Sequence, residues 1–348
     1  MATKHSLQDN HVLLPLAVLG VLAGIDATFP PETLVSSSYG VAALVACAIT
    51  TVRITAIFGV AGSVLAALSA IWNDNFATLG WWIHVSMTIG IGALAVILAH
   101  IRIGREQDLQ HMTTIAETAQ RAVLRVIPGS VGTIRFATRY VSATKEALVG
   151  GDLYEVVLTP DGVRVIVGDV RGKGLAAVQM AATVLAAFRR AALMEISLTE
   201  IAADLDSVVT AVAGDEDFVT AVLAEFHDDH TVTLVNCGHH PPLLLTNSDA
   251  GGLVDTGEPQ PPLGLGPKPD PVTSRLPHGA RMLFYTDGLI EARNGDGAFF
   301  PLTERATTLA GGSLDDALDG LLGQLGRHAA DEMDDDMALV LAERQPAA

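Results

Sequence analysis

Apolar residues dominate the first hundred positions of the chain, whereas apolar and polar residues alternate in shorter runs from about residue 130 onward. Four apolar stretches can be marked in the first part, and each approaches the ~20 residues that a helix needs to cross a hydrocarbon core of about 30 Å. We predict that residues 1–102 form an all-α region of four transmembrane helices. The stretches cover residues 12–29, 34–52, 54–72 and 81–101.

The few basic residues of this region predict its orientation. Lys4 precedes the first stretch, Arg53 lies between the second and third, and Arg102 and Arg105 follow the fourth. With four spans all of these fall on one side of the membrane, which the positive-inside rule assigns to the cytoplasm. We therefore predict a multi-pass protein of the cytoplasmic membrane whose remaining chain lies in the cytoplasm. A cleaved signal peptide would explain the first stretch but not the three that follow it.

A polar segment without proline follows over residues 103–127, and Pro128 and Gly129 end it. Apolar residues recur in this segment at mostly helical spacing, so residues 103–129 are predicted to be a helical linker. The pattern fits a plain spacer and a helix that pairs with a second copy in a homodimer equally well.

From residue 130 to residue 344 the pattern predicts a separate domain. Hairpins and helices in the observed order favour a layered α+β domain over a parallel βαβ array. The β-like runs lie at 152–158, 163–170, 217–226, 231–238, 241–247, 280–288 and 336–343, and the helical ones near 174–194, 197–213, 302–311 and 313–329.

Charge is distributed as unevenly as hydrophobicity. The 348 residues carry a formal net charge of −18, of which only −1 falls up to Glu106. No stripe of Lys and Arg could release counterions from a nucleic acid, which excludes nucleic-acid binding. The two cysteines, Cys47 and Cys237, lie in unlike contexts, which argues against a disulfide and fits a reducing compartment.

Acidic residues recur at the ends of the predicted strands of this domain. Asp152 lies in GGDLYE, Asp169 in VGDVRGKG, Asp287 in FYTDG and Asp335 in DDDMALVL. Carboxylates beside apolar strands are costly to bury and repel one another where they converge, unless a cation neutralises them. Hard oxygen ligands favour Mg²⁺ or Mn²⁺. Ordinary turn chemistry explains any single corner, but four in one domain favour a shared metal site.

Two other groups of metal-ligand residue types have simpler explanations. His239 and His240 stand beside Cys237, but their spacing does not fit a closed four-ligand zinc site, and two prolines end the turn at once. A structural loop is the better interpretation. The run 331–336 also fits a solvated acidic segment, so the metal role there depends on Asp335 heading an apolar strand.

The ordered blocks GGDLYE, GDVRGKGLAA, NCGHHPPLLL, YTDGLIEARN and DDMALVL resemble the SpoIIE/RsbU-like branch of the PP2C family of metal-dependent serine/threonine protein phosphatases. The resemblance covers roughly residues 115–344 and includes IAETAQRAVL and the segment around Arg139 and Tyr140. It implies a PP2C-like αββα sandwich, two antiparallel sheets flanked by helices, with two divalent cations, Mn²⁺ or Mg²⁺.

The resemblance implies roles for the five residues that stand at matching positions of the family's motifs. Asp169 would bridge the two cations, the Val170 carbonyl would bind one of them, and Asp287 and Asp335 would complete the other. Asp152 matches a position that binds metal directly or through water. Two such cations can acidify a bridging water, and the resulting hydroxide attacks phosphorus in line, so that no protein nucleophile is needed.

The same resemblance implies the substrate, which is phosphoserine or phosphothreonine on a regulatory protein such as an anti-sigma-factor antagonist. The sequence departs from the commonest family wording, although at none of the proposed carboxylates. Arg171 and Lys173 either help to hold the substrate phosphate or are solvated turn residues. The departures are Glu155, Arg171, Lys173, Cys237 and Ala338.

Two other functions fit parts of the sequence. A diguanylate cyclase would also combine a membrane anchor, a signalling helix and a GGD tripeptide, but Leu153 and Tyr154 follow the tripeptide here, and the cyclase leaves three of the acidic corners unexplained. A non-catalytic membrane receptor would use a phosphatase-like domain only to bind partners. The four intact carboxylates argue against the receptor.

Overall fold

The computed structural model describes residues 3–28, 36–73, 76–142, 150–194, 196–214, 216–246, 249–329 and 335–345. By its internal contacts the chain divides into two compact units, Met1–His111 and Met112–Ala348. The boundary falls inside the predicted linker. Each unit is described below by itself.

Helices make up the described part of the first unit. The last of them is continuous, so the fourth predicted span and most of the predicted linker belong to one helix of 45 residues. The bounds are α1 Thr3–Thr28, a 3-10 helix Ser36–Tyr39, α2 Gly40–Ile49, α3 Val52–Leu68, α4 Ala70–Asn73 and α5 Leu79–Val123.

Two segments that begin in this unit are long and apolar enough to cross a membrane, His11–Thr28 in α1 and Leu79–Gln120 in α5, and the second of them continues into the second unit. Helices α2 and α3 are apolar but shorter. The ten residues of α2 rise only about 15 Å, half of a hydrocarbon core. Positions 34 and 35, where the second predicted span begins, lie outside the described residues. The number of spans therefore stays a prediction.

Polar residues of the first unit have partners inside it. Asp26 is 4% exposed and accepts a hydrogen bond of 2.9 Å from the hydroxyl of buried Tyr39. The guanidinium of Arg102 donates to the carbonyl of Thr50 at 2.6 Å and pairs with Glu106 at 3.0 Å. Ionisable groups in a membrane region need such partners, because an unpaired charge is costly there.

Strands and helices alternate along the second unit at nearly the predicted positions. The predicted β-like runs leave out four strands: β2, and the short strands β1, β8 and β9, which carry few apolar residues. The strands are β1 Ser130–Val131, β2 Ile134–Val141, β3 Leu153–Thr159, β4 Gly162–Val170, β5 Val219–Phe226, β6 Thr231–Cys237, β7 Leu243–Thr246, β8 Asp249–Leu253, β9 Val272–Arg275, β10 Arg281–Tyr285 and β11 Met337–Arg344. The helices are α6 Leu175–Ala192, α7 Leu198–Val212, α8 Asp287–Ile290, α9 Leu302–Arg305, a 3-10 helix Ala306–Leu309 and α10 Leu314–His328.

The strands form two antiparallel sheets that face each other. The sheet with order β1-β2-β11-β10-β7-β8 is called the β10 sheet, and the sheet with order β3-β4-β5-β6-β9 is called the β4 sheet. Helices α6 and α7 cover the outer face of the β4 sheet, and α9 and α10 cover that of the β10 sheet. The predicted αββα sandwich is confirmed. Helix α6 is also long and apolar enough to span a membrane, but its apolar side packs on the β4 sheet.

Three apolar layers follow from this arrangement, one between the sheets and one beneath each pair of helices. Phe136, Phe226 and Phe284 bridge the two sheets through edge-to-face contacts, with ring centroids 6.3–6.4 Å apart. Strand β10 is buried on both faces, with Phe284 between the sheets and Leu283 under the helices. Burial on both faces explains why such strands appear in the sequence as continuous apolar runs.

Each sheet contains one buried Arg–Glu pair across neighbouring strands. Arg164 on β4 contacts Glu225 on β5 at 2.7 Å, and Arg281 on β10 contacts Glu343 on β11 at 2.7 Å. The Arg164 guanidinium also donates to three carbonyls in the α6–α7 connection, and that of Arg281 to three carbonyls between the 3-10 helix and α10. Both pairs therefore tie a sheet to the helical layer above it.

We expect Glu225→Ala and Glu343→Ala each to lower the free energy of unfolding by about 3–5 kcal/mol, because each change leaves a buried guanidinium without its carboxylate. Urea denaturation followed by circular dichroism measures the loss. Asp319→Ala is the matched control, since Asp319 forms an exposed pair with Arg139, and exposed pairs contribute little to stability. Equal effects of the buried and exposed changes would contradict this assignment.

Candidate metal centre

The four predicted acidic corners meet at one end of the two sheets. Leu153 pairs with Gly168 in the antiparallel β3–β4 ladder, so Asp152 and Asp169 face each other across the extension of that ladder. Asp287 follows the end of β10, and Asp335 precedes the start of β11, the antiparallel neighbour of β10. Strand register therefore places residues from distant parts of the sequence at the same corner.

Three of these carboxylates form a tight cluster. One ligand oxygen from each of Asp152, Asp169 and Asp287 lies within 4.8 Å of the others, and Asp152 is only 2% exposed. It is the one group of three metal-ligand side chains found among the described residues. The cluster opens into a pocket of about 310 Å³ that Val170, Arg171, Lys173, Asp335 and Asp336 also line.

A short hydrogen-bond chain fixes the most deeply buried member. The Thr286 hydroxyl donates to Asp152 Oδ2 at 2.8 Å, and the Thr286 oxygen accepts from the backbone N–H of Ala338 at 2.8 Å. Thr286 thus connects the carboxylate before β3 to the strand β11. Since β3 and β11 belong to different sheets, this chain joins the two layers at the metal centre.

Proximity and burial change the acidity of the cluster. Burial, followed by the charge of Asp169, raises the pKa of Asp152 well above its usual range, although the Thr286 hydrogen bond opposes the rise. Burial, then the charges of Asp287 and Asp335, raises the pKa of Asp169 to about 7. Burial and Asp335 raise the pKa of Asp287 as well. All three shifts indicate negative charge that the protein alone leaves uncompensated.

The donor set fits divalent cations. Carboxylate oxygens are the ligands that Mg²⁺ and Mn²⁺ prefer, and a dication would neutralise most of the charge of three converging aspartates. Asp152, Asp169 and Asp287 meet this requirement by their geometry. Val170 lies beside them in the pocket wall, as the predicted carbonyl ligand should.

Asp335 lies in the same pocket but outside the tight cluster. Its Oδ1 is 2.8 Å from the ammonium of Lys173, and the two side chains are 42% and 37% exposed. Arg171, the second predicted phosphate contact, lies against the Phe218 ring and donates to the backbone carbonyl and the carboxylate of Glu216. Both basic residues line the pocket, but each already contacts an acidic residue, Lys173 one inside the pocket and Arg171 one outside it.

Asp336 takes part in a second network that the sequence does not predict. Its Oδ2 accepts from the backbone N–H of Gly150 and, at 3.0 Å, from the hydroxyl of Tyr140. Gln120 near the end of α5 donates to that hydroxyl oxygen and, at 3.0 Å, to the Gly150 carbonyl. Gln120 is buried, but nothing in the sequence marks its burial or names its partners.

Two glycines allow the loops of the centre to approach each other. A Cβ atom on Gly151 would lie 2.6 Å from the Val170 carbonyl oxygen and 2.9 Å from the Val170 nitrogen. A Cβ atom on Gly288 would overlap the backbone of Asp336. Any larger residue would therefore separate the strand ends that carry the carboxylates.

The interpretation of the histidine pair as a structural loop agrees with the structure. Buried His239 contacts the Thr220 hydroxyl at 2.9 Å and the Tyr285 carbonyl at 3.1 Å. Burial, then the neighbouring His240, lowers its pKa to about 3. The ring is therefore neutral, with its Nε2–H donating to Tyr285 and its Nδ1 accepting from Thr220. Both nitrogens have protein partners, which leaves neither for zinc.

The chain is similar to a known protein family and to several solved structures. The sequence model of the family described as Stage II sporulation protein E (SpoIIE) matches residues 159–345. The structure is similar to that of the RsbU and RsbW domains of a Mycobacterium tuberculosis protein, at 26% identity and a TM-score of 0.52, over 62% of this chain and 61% of that one.

Two further structures share the fold at 17% identity. The PP2C domain with a regulatory fragment of Bacillus subtilis SpoIIE has a TM-score of 0.51 over 63% of this chain and 66% of that one. The SiaA-PP2C domain of Pseudomonas aeruginosa has a TM-score of 0.57 over 71% of this chain and 99% of that one. The chain thus spans just under two thirds of the length of the first two structures.

The family match covers more than half of the 348 residues. It falls entirely within the second unit, which carries both sheets and all five pocket aspartates. The chain therefore belongs to the SpoIIE family, and its second unit has the fold of the PP2C domains.

Proposed function

We propose that this chain is a membrane-anchored, metal-dependent protein phosphatase that hydrolyses phosphoserine or phosphothreonine on a regulatory protein. The observation that carries the proposal is the cluster of Asp152, Asp169 and Asp287, whose ligand oxygens lie within 4.8 Å of one another at the base of an open pocket. Membership of the SpoIIE family supports the same reaction.

Asp169, Asp287 and Asp335 would hold two divalent cations, Mn²⁺ or Mg²⁺, with Asp152 and the Val170 carbonyl completing the sites. When bound, such cations supply water of lowered pKa and positive charge for the transferring phosphoryl group. The protein itself supplies position: Thr286 orients Asp152, and the β3–β4 register orients Asp169. Asp169, Asp287 and Asp335 are thus the proposed catalytic residues.

The shape and charge of the pocket, together with the family resemblance, support the proposed substrate. A pocket of about 310 Å³ that is open to solvent accommodates a phosphorylated side chain while the rest of a folded partner stays outside. Lys173 and Arg171 at its wall supply positive charge for a phosphate. A phosphorylated anti-sigma-factor antagonist is the proposed partner, by the resemblance to RsbU-like and SpoIIE-like phosphatases.

The proposed location is the cytoplasmic membrane, with the phosphatase domain in the cytoplasm. Long apolar segments in α1 and α5 and the placement of Lys4, Arg53 and Arg102 support it.

Pairing of two copies through the exposed surface of α5 within 103–123 is proposed as the route to a homodimer. A cyclase is disfavoured by the family match, and a non-catalytic receptor by the intact carboxylates.

We expect the purified full-length chain to release phosphate from a phosphoserine protein only when Mn²⁺ or Mg²⁺ is present. Asp169→Asn and Asp287→Asn should each lower kcat/KM by more than about 100-fold, because each removes a metal ligand. Phosphate release is measured with and without chelator, and Asp270→Asn, an exposed loop residue, is the control. Activity that survives chelator and both substitutions would refute the metal-dependent mechanism.

The raised pKa of Asp169 predicts how the metal-free chain responds to pH. The folded-state pKa is about 7 and the ordinary value is 3.8, so the folded chain binds more protons than the unfolded chain between these values. Stability from this carboxyl is therefore fully present below about pH 4 and is lost as pH rises through about 7. Asp169→Asn should remove this loss.

After chelation, the Asp169→Asn variant should gain about 1–3 kcal/mol in unfolding free energy relative to wild type between about pH 5 and about pH 8. Urea denaturation at the two pH values measures the difference. Asp270→Asn should follow the wild type. An Asp169→Asn variant whose stability changes with pH as the wild type does would show that the Asp169 carboxyl carries no uncompensated charge.

Tyr140→Phe should weaken Mn²⁺ binding by about tenfold, because residues that support ligands typically affect metal affinity by 10–100-fold. The hydroxyl it removes holds both Asp336 and Gln120. Isothermal titration with Mn²⁺ measures the change, and Tyr154→Phe, whose ring lies between the sheets, is the control. Unchanged Mn²⁺ affinity in Tyr140→Phe would exclude a supporting role for this network.

A further inference from the structure

The ion pair between Lys173 and Asp335 lies inside the pocket that the clustered carboxylates open onto. Lys173 Nζ is 2.8 Å from Asp335 Oδ1, and both residues share the pocket wall with Asp169 and Asp287. A positive charge is therefore already present at the carboxylate assigned to the second cation. An ammonium and a dication cannot share that oxygen without strong repulsion.

The surroundings of Lys173 favour a positive charge at this place, and Asp335 is the main partner of that charge. Burial opposes its charge, but the hydrogen bond to Asp335 and the charges of Asp335, Asp336 and Asp287 outweigh that effect and raise its pKa. Asp335 in turn raises the pKa of Asp169. The ammonium thus stands in a field that several carboxylates create together, which is the field that a second cation would also experience.

The two basic residues of the pocket differ in side-chain type and in the backbone around them. Arg171 is held by two contacts to Glu216 and by the Phe218 ring. Lys173 follows Gly172, which has a positive φ of 104°, and precedes Gly174. Its side chain is 37% exposed, and a lysine carries three donors on a flexible four-carbon stem. Lys173 can therefore change partner without moving a strand or a helix.

We propose that the Lys173 ammonium competes with the cation that Asp335 would hold. When that cation binds, the Lys173 side chain moves from Asp335 to the substrate phosphate. The proposal deepens the proposed phosphatase function and rests on it. It makes Lys173 a specificity residue for phosphate that becomes available only in the fully loaded site. Two classes of cation affinity follow, a tight one at the buried cluster and a weaker one at Asp335.

Titration of the full-length chain with Mn²⁺ tests the competition between Lys173 and the second cation. Electron paramagnetic resonance counts the bound ions. Wild type should bind a second Mn²⁺ more weakly than the first, and Lys173→Gln should tighten the second step about tenfold while leaving the first nearly unchanged. Lys173→Arg, which keeps the charge, should keep the weak second step. Lys268→Gln is the matched control, since Lys268 is an exposed lysine outside the pocket.

Steady-state kinetics with a phosphoserine peptide at saturating Mn²⁺ test the proposed contact between Lys173 and the substrate phosphate. Lys173→Gln should raise KM about tenfold with a smaller change in kcat, because it removes a charge-assisted contact to phosphate. Lys268→Gln should behave as wild type. A second Mn²⁺ step that is unchanged in Lys173→Gln, or equally changed in Lys268→Gln, overturns the proposal, and so does an unchanged KM.

The two levels of proposal fail in different ways. A wild-type chain that binds Mn²⁺ but releases no phosphate from phosphoserine proteins refutes the phosphatase function. An active wild type whose Lys173→Gln variant binds Mn²⁺ as wild type does refutes only the competition by Lys173. Because Lys173 lies in an exposed turn, its variants should fold, and a thermal melt in chelator compares them directly with wild type.

Discussion

Repulsion between carboxylates is the constraint on which the second unit depends. Asp152 and Asp169 are held opposite each other by the β3–β4 register, and Asp287 is delivered to the same corner by β10. The backbone offers no local way to separate them, since their positions are set by ladders that run the length of both sheets. The pKa of each rises instead, so the folded chain retains protons that an unfolded chain would release.

A corner under such repulsion needs a rigid surrounding. Three phenylalanine rings join the sheets, and one buried Arg–Glu pair in each sheet ties that sheet to its helices. Each buried carboxylate of those pairs faces at least one guanidinium, whereas acidic residues outnumber basic ones in the pocket, which is lined by five aspartates and two basic residues. The stabilising contacts thus lie away from the pocket, and the pocket keeps an excess of negative charge that attracts a cation. Such a site favours cation binding because the protein leaves its negative charge uncompensated.

Much of this could be predicted from the sequence, because periodicity and strand ends are local properties. Buried runs such as 163–170 and 280–288 predicted β4 and β10, and the acids at their ends predicted Asp169 and Asp287. The partners of Gln120 and Tyr140 could not be predicted, since hydrogen bonds between residues far apart in the chain leave no periodic pattern. Nor does hydropathy predict where an apolar stretch stops being helical, which is why α2 is shorter than the apolar stretch at 34–52.

Asp335 and Asp336 show why composition alone could not assign the last corner. The two residues are adjacent and chemically identical, yet Asp336 is 4% exposed and accepts from Gly150 and Tyr140, whereas Asp335 faces the pocket opening and Lys173. A carboxylate held by backbone and hydroxyl donors supports the loop that carries Asp152. Asp335 Oδ1 accepts from the backbone N–H of Asp336 at 2.9 Å and contacts the Lys173 ammonium at 2.8 Å, so a cation at this carboxylate would compete with that ammonium. The difference in role arises from the neighbours that the fold supplies to each, and those neighbours come from β2, the Gly150 loop and the turn after β4.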